Sequence, residues 1–237
     1  MLDILLCTDL DRTLLPNGRQ PSSPNAMRAF YRFVAEKSVT LAYVSGRDRN
    51  LLADAINTYS IPVPDYAIGD VGTTIYTPKD GWQHWQKWED EICRDWQGKT
   101  ATEILPQLRG IDEIWLQEQE KQNRYKLSFY SRTDVDITAV RQKILSQLNS
   151  NGLHACVIWS IDEKKDTGLI DILPKRATKI DAVKFLMREK GFSEAQTVFA
   201  GDSGNDLPAL TSGLNAVLVK NSSPEVKTEA LNSVKEK

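Results

Sequence analysis

Short apolar runs recur along the first third of the chain, each separated from the next by a stretch with helical spacing. Ile4-Leu5-Leu6-Cys7-Thr8 reads as a buried strand. A loop from Pro16 to Pro24, containing the turn pair Asn17-Gly18, leads into a helix predicted over Pro24 to Glu36, with Ala26, Phe30, Phe33 and Val34 on one face. Val39 to Val44 is a second apolar run, Arg49 to Tyr59 has helical spacing, and Tyr66-Ala67-Ile68 opens a third run. Strands that alternate with helices imply crossover connections and a parallel sheet.

The pattern then changes. Helix is predicted over Trp85 to Leu108, strands over Glu113 to Gln119 and Tyr125 to Arg132, a helix over Asp136 to Leu148, and strands over Ala155 to Ile161 and Gly168 to Leu173. All six tryptophans fall between Gly81 and Ser160, and the polar stretch Gln117 to Arg124 reads as a hairpin connection. Crossover spacing returns with a helix over Lys179 to Lys190, a strand over Thr197 to Ala200, a helix over Asp206 to Leu210 and a strand over Ala216 to Val219. The expectation is an α/β protein: a Rossmann-like parallel-sheet core, residues 1–80 and 174–237, interrupted by a smaller α+β cap domain, residues 81–173.

Composition narrows the setting. With 237 residues, 41% of them hydrophobic, the chain can bury a real core. A formal charge of −2 gives no general affinity for nucleic acid or anionic membrane, so neither is an expected partner. No apolar stretch reaches the roughly 18 residues of a membrane helix, and the N-terminus lacks the charge order of a signal peptide. Cys7, Cys93 and Cys156 are too few and too scattered for a disulfide framework or a metal knuckle, which fits a reducing cytoplasm.

Chemistry concentrates at the ends of two apolar runs. Asp9-Leu10-Asp11-Arg12-Thr13 follows the first, and Gly201-Asp202-Ser203-Gly204-Asn205-Asp206 follows Thr197 to Ala200. Carboxyl ends of parallel strands are where open α/β sheets bind ligands. If both runs share one sheet, Asp9, Asp11, Asp202 and Asp206 converge, and bare carboxylates about 4 Å apart repel by several kcal/mol at an effective dielectric of ~20. Such a cluster calls for a hard cation. Taken alone, the first motif fits a solvated turn equally well, and the second fits a strand-to-helix turn with an N-cap aspartate. Ser45-Gly46-Arg47 ends the second run and offers a hydroxyl and a backbone N–H to a phosphate, although Ser-Gly is also a common turn. Lys179 opens a helix where it could add a cation, or lie on the surface. His84 and His154 lack partners at ligand spacing, and Trp82, Trp85, Trp88 and Trp96 read mainly as core.

In this order the signals resemble the haloacid dehalogenase superfamily of phosphohydrolases, whose four motifs are matched by Asp9/Asp11/Thr13, Ser45, Lys179 and Asp202/Asp206. The insert resembles the α/β cap of the sucrose-phosphate phosphatases and the Cof-type sugar phosphatases. The first of these groups is the more similar, through Gly69-Asp70-Val71-Gly72-Thr73-Thr74-Ile75-Tyr76, Tyr125-Lys126-Leu127-Ser128-Phe129, Ile170 to Pro174 ahead of Lys179, and Gly201 to Asp206. Three departures stand out: Thr74 where Glu is usual, Ile180 where Gly is usual, and an end at Lys237 short of the usual closing helices.

The resemblance implies a Mg²⁺-dependent phosphatase in which Asp9 attacks phosphorus and Asp11 serves as general acid and base. It implies Mg²⁺ at Asp9, the Asp11 backbone carbonyl and Asp202, with Asp206 and Asn205 in support. Ser45, Gly46, Lys179 and Asn205 would bind the phosphoryl group, and Arg47, Lys126 and Ser128 the rest of the substrate. That substrate is expected to be a sugar phosphate, sucrose 6-phosphate or a similar disaccharide phosphate, acted on by a monomer with a sugar-phosphate synthase as possible partner. A phosphosugar mutase and a non-catalytic sugar-phosphate-binding module are the competing readings; phosphate release separates both from a phosphatase.

Overall fold

The computed structural model describes residues 3–16, 24–162 and 165–235, so the Asn17-Gly18 turn lies outside the described residues. In chain order the elements are β1 (Ile4–Thr8), α1 (Pro24–Val34), β2 (Val39–Val44), α2 (Arg49–Tyr59), β3 (Tyr66–Gly69), β4 (Thr74–Thr77), β5 (Gln83–His84), α3 (Gln86–Ile92), α4 (Ala101–Ile104), β6 (Ile114–Leu116), β7 (Leu127–Ser131), α5 (Ile137–Asn149), β8 (Ala155–Asp162), β9 (Thr167–Pro174), α6 (Lys179–Lys190), β10 (Thr197–Gly201), α7 (Leu207–Leu210), β11 (Asn215–Leu218) and α8 (Pro224–Lys235). They form two compact units, one of residues 1–85 with 179–237 and the other of residues 86–178. Each crossing of the chain thus falls five residues later than the sequence pattern suggested. Among the described residues, no helix is long and apolar enough to cross a membrane.

The first unit is built on a seven-stranded sheet in the order β11-β10-β1-β2-β3-β4-β5. Strands β11, β10, β1, β2 and β3 run parallel, whereas β4 and β5 turn back antiparallel at one edge. This antiparallel edge is absent from the crossover pattern, because Thr74 to Thr77 is too short and too mixed to announce a strand. Central strand β1 buries Leu5 and Cys7 completely. Helix α2 begins where the Asp48 side chain accepts the Leu51 N–H at 2.9 Å, and it buries Leu52, Ala55 and Ile56 against Leu41 and Tyr43.

The second unit carries a four-stranded antiparallel sheet, β6-β7-β9-β8, with α5 packed on it through Val140, Ile144 and Leu148. Asp136 caps α5 by accepting the Thr138 and Ala139 N–H groups, and Trp88 and Trp96 are core residues here. The helix expected over Trp85 to Leu108 is instead four short segments. Gln97 and Gly98 adopt left-handed φ of 56° and 78°, Thr100 and Glu103 form a capping box that restarts the chain as α4, and Pro106 blocks its continuation. The strand expected over Glu113 to Gln119 shrinks to three residues.

Candidate active site

Strands β1 and β10 are parallel neighbours with Thr8 beside Ala200, and the Asp9 N–H extends the pairing by donating to the Ala200 carbonyl at 2.9 Å. Both carboxylate motifs therefore leave the sheet from adjacent strands at the same edge. Asp9, Asp202 and Asp206 are all buried, and each offers a carboxylate oxygen within 4.8 Å of the others. Lys179, the first residue of α6, is 3% exposed and donates to Asp9 Oδ1 at 2.8 Å, Asp206 Oδ1 at 2.7 Å and Asn205 Oδ1 at 3.2 Å.

The loop after β10 is held by Asp206, whose Oδ2 accepts from the Asp202 N–H, the Ser203 N–H and the Ser203 hydroxyl. Asp206 sits at the start of α7 yet reaches backward into the loop rather than forward to cap the helix. Gly201 makes that approach possible, since a Cβ there would lie 2.7 Å from Asp206 Cβ and Cγ.

Asp11 does not join the three buried carboxylates. Its carboxylate is gripped by Arg47, with Nε at 2.8 Å from Oδ2 and an Nη at 2.6 Å from Oδ1. Two positions after Asp9, the chain has already left the strand, so the two side chains diverge. Ser45 is fully buried and its hydroxyl oxygen accepts the Arg47 N–H at 3.2 Å, whereas Gly46 is exposed. Sequence reasoning missed two further contacts to Asp202: Arg12 Nε lies 3.4 Å from Oδ2, and the Thr13 hydroxyl donates to Oδ1 at 3.3 Å. It also missed that Arg47, which follows the Ser-Gly pair in the sequence, is the partner of Asp11.

The electrostatics follow from burial. Desolvation, reinforced by the Asp206 and Asp202 charges, pushes Asp9 up to about 7 despite the opposing pull of Lys179. Asp202 is pushed up to about 6 by burial and by Asp206, against Arg12, Thr13 and Lys179. Burial alone would lower the Lys179 pKa, but Asp206 and Asp9 hold it above its ordinary value, so it stays charged. Hydrogen bonding to Asp11 keeps the Arg47 guanidinium firmly protonated. Lys179, with Arg12 reaching Asp202 alone, leaves the three buried carboxylates short of positive charge. The cluster's donors are hard oxygens, three of them buried and close, which fits a divalent cation of the Mg²⁺ type.

In the second unit, Lys126 is buried immediately before β7, and the Ser128 hydroxyl is shared between Asp171 Oδ1 at 2.5 Å and the Lys121 carbonyl at 3.2 Å. Trp85 belongs to the first unit, edge-on to Tyr66 and Phe185 and beneath the Lys190 ammonium, and Trp82 packs on Tyr76. His84 lies against the Tyr76 ring, away from the carboxylates in β5.

A parallel sheet with a buried lysine among convergent carboxylates at its C-terminal edge is the arrangement of the haloacid dehalogenase-like hydrolases. Within them, the chain belongs to the sucrose-6F-phosphate phosphohydrolase family, whose model matches residues 2–237. It is 50% identical over 229 residues to a haloacid dehalogenase-like hydrolase of Nitrosococcus oceani, a match covering 96% of this chain and 62% of that protein. The chain therefore spans less than two thirds of that relative's length. It is 25% identical to the mannosylfructose-phosphate phosphatase of Agrobacterium fabrum, over 94% of this chain and 85% of that one. The solved sucrose-phosphatase of Synechocystis, in complex with sucrose and phosphate, shares the fold with a TM-score of 0.79 at 24% identity, covering 96% of this chain and 87% of that one.

Proposed function

We propose that the protein is a Mg²⁺-dependent phosphatase acting on a sugar phosphate, with sucrose 6-phosphate or a similar disaccharide phosphate as the substrate. The observation that carries this reading is the buried Lys179 bridging Asp9 and Asp206 beside Asp202. A purely binding module has no use for a nucleophile-grade carboxylate crowded against a lysine at a sheet edge.

Asp9 is the nucleophile: its carboxylate oxygen forms a bond to phosphorus as the bond to the sugar oxygen breaks. Lys179, already hydrogen-bonded to Asp9, draws the charge spread over the phosphoryl oxygens. The Gly46 N–H supplies a further donor from the exposed part of its loop. Asp11 delivers a proton to the departing sugar oxygen and then takes one from the water that attacks the aspartyl-phosphate, releasing orthophosphate and restoring Asp9. For the first of these steps Asp11 must be protonated, so its carboxylate must come away from Arg47, which favours the ionised form. Mg²⁺, held by Asp9, Asp202 and the Asp11 carbonyl with Asp206 and Asn205 behind them, would neutralise the cluster and polarise the phosphoryl group. By the family resemblance, Lys126 and Ser128 would contact the sugar. A reducing, cytoplasmic setting fits three cysteines that form no disulfide among the described residues.

The test is release of orthophosphate across a set of mono- and disaccharide phosphates, with Mg²⁺ and with chelator. Release confined to Mg²⁺ and fastest for a disaccharide phosphate is the expected result. An isomerised sugar phosphate in place of free phosphate would establish a mutase, and no turnover of any phosphomonoester would overturn the reading.

A further inference from the structure

The turn between β3 and β4 places two consecutive non-glycine residues in the left-handed region. Asp70 and Val71 adopt left-handed φ of 50° and 63°, both are 4% exposed, and neither is a glycine. A β-branched residue at positive φ is a genuine outlier, and such conformations persist only where surrounding contacts enforce them. Two of the contacts that hold the turn run to the Ser45–Arg47 loop. The Asp70 N–H donates to the Arg47 carbonyl at 2.9 Å, the Val71 N–H donates to the Ser45 carbonyl at 3.1 Å, and the Ser45 N–H donates to the Ile68 carbonyl at 2.9 Å. On the other side, the Thr73 hydroxyl donates to the Asp70 carbonyl and the Thr74 hydroxyl to Asp70 Oδ2. Gly69 completes the fit: a Cβ there would stand 2.9 Å from the Arg47 carbonyl oxygen.

We propose that the Asp70–Val71 turn is a positioning element for phosphoryl binding, fixing the Ser45–Arg47 loop so that the Gly46 N–H is presented and Arg47 is aimed at Asp11. The inference rests on the phosphatase reading. Extended backbone at Asp70 and Val71 would point their N–H groups elsewhere and release both carbonyls of the loop. With the carbonyls of Ser45 and Arg47 held and the Arg47 N–H turned onto Ser45 Oγ, the one loop N–H with no partner among the described residues is that of Gly46. The same clamp sets the origin of the Arg47 side chain, whose two bonds to Asp11 join this loop to the first carboxylate motif. Thr74, which stands where the family usually has glutamate, buttresses Asp70 through its hydroxyl.

Two substitutions test the proposal from opposite sides. Gly69→Ala wedges a methyl against the Arg47 carbonyl, and Thr74→Val removes the hydroxyl that donates to Asp70 Oδ2. Neither touches Asp9, Asp202, Asp206 or Lys179. Melting temperatures are measured with chelator, with Mg²⁺ alone, and with Mg²⁺ plus orthophosphate. The expected result is an unchanged Mg²⁺ response in both variants, with orthophosphate affinity about 10-fold weaker or worse in Gly69→Ala and several-fold weaker in Thr74→Val. The kcat for p-nitrophenyl phosphate should fall alongside. Equal loss of both responses, or retention of both, in the variants that fold overturns the proposal, because a merely structural turn would not separate them. A wild-type protein that responds to neither ligand refutes the phosphatase reading itself, and the inference with it.

Discussion

Replacing Lys179 with methionine keeps most of the side-chain volume and removes the only cation that touches both Asp9 and Asp206 among the described residues. The loss should depend on pH in a way that packing cannot imitate. In the wild type, Asp9 is already largely neutral at pH 5.5, because burial pushes it to about 7. Without the lysine, one more carboxyl of the cluster must be kept neutral or left as a buried unpaired charge. An aspartate titrating at its ordinary 3.8 in the unfolded chain costs about 1.4 kcal/mol per pH unit to hold protonated above that value. The penalty is therefore about 2 kcal/mol at pH 5.5 and about 4 kcal/mol near pH 7. It then levels off at the ~3–5 kcal/mol of a broken buried ion pair. The sign follows from linkage: the variant's native state binds more protons than its unfolded state, so its stability falls as pH rises through this window. Hydrogen exchange of the β1 and β10 amides, measured in chelator at pH 5.5, 7 and 8, reads the opening of this part of the sheet. A loss of the same size at all three values, or one below about 1 kcal/mol throughout, would refute the argument.

Three further outcomes follow from the same geometry. Because Asp9 and Asp202 are raised to about 7 and 6, metal-free stability should decline between roughly pH 4 and 7, and the melting-point gain from Mg²⁺ should be small at pH 5 and full at pH 8, nearing ~2.7 kcal/mol at 100 times the dissociation constant; a gain that is flat with pH would contradict it. Gly201→Ala should cost about 1–3 kcal/mol and abolish the Mg²⁺ response, since the new methyl lies 2.7 Å from Asp206, and calorimetry with and without Mg²⁺ checks both effects. Asp9→Asn should remove phosphate release from every substrate. Asp11→Asn should spare p-nitrophenyl phosphate, whose phenolate leaves without a proton, and equal losses on both substrate types would dismiss Asp11 as the acid.

Much of this was legible in the residue order, for reasons that can be named. Apolar runs such as Val39 to Val44 are buried on both sheet faces and therefore read as unbroken strands. Carboxylates placed just after two such runs had to meet once the runs paired. What escaped was whatever depends on backbone direction over two or three residues. Asp9 and Asp11 look equivalent in the sequence, yet the turn between them sends one to Lys179 and the other to Arg47. Val71 gives no hint that it will occupy a left-handed conformation, because its residue type argues against one. By contrast, the breaks in the helix expected over Trp85 to Leu108 fall at residues whose types favour them, Gly98, Thr100-x-x-Glu103 and Pro106.

The pairing of β1 with β10 also sets a timetable for the ribosome. Thr13 and Asp202, which touch in the finished site, are 189 positions apart, so at the usual 5–20 residues per second about 10–40 s of synthesis separate them. Throughout that interval, β1 has an open hydrogen-bonding edge where β10 will sit, and Asp9 stands without its lysine. The unit of residues 86–178 is continuous and can close on itself while the chain is still growing. Until β10 emerges, the exposed strand is a nucleus for misassembly, and the site orders only after that.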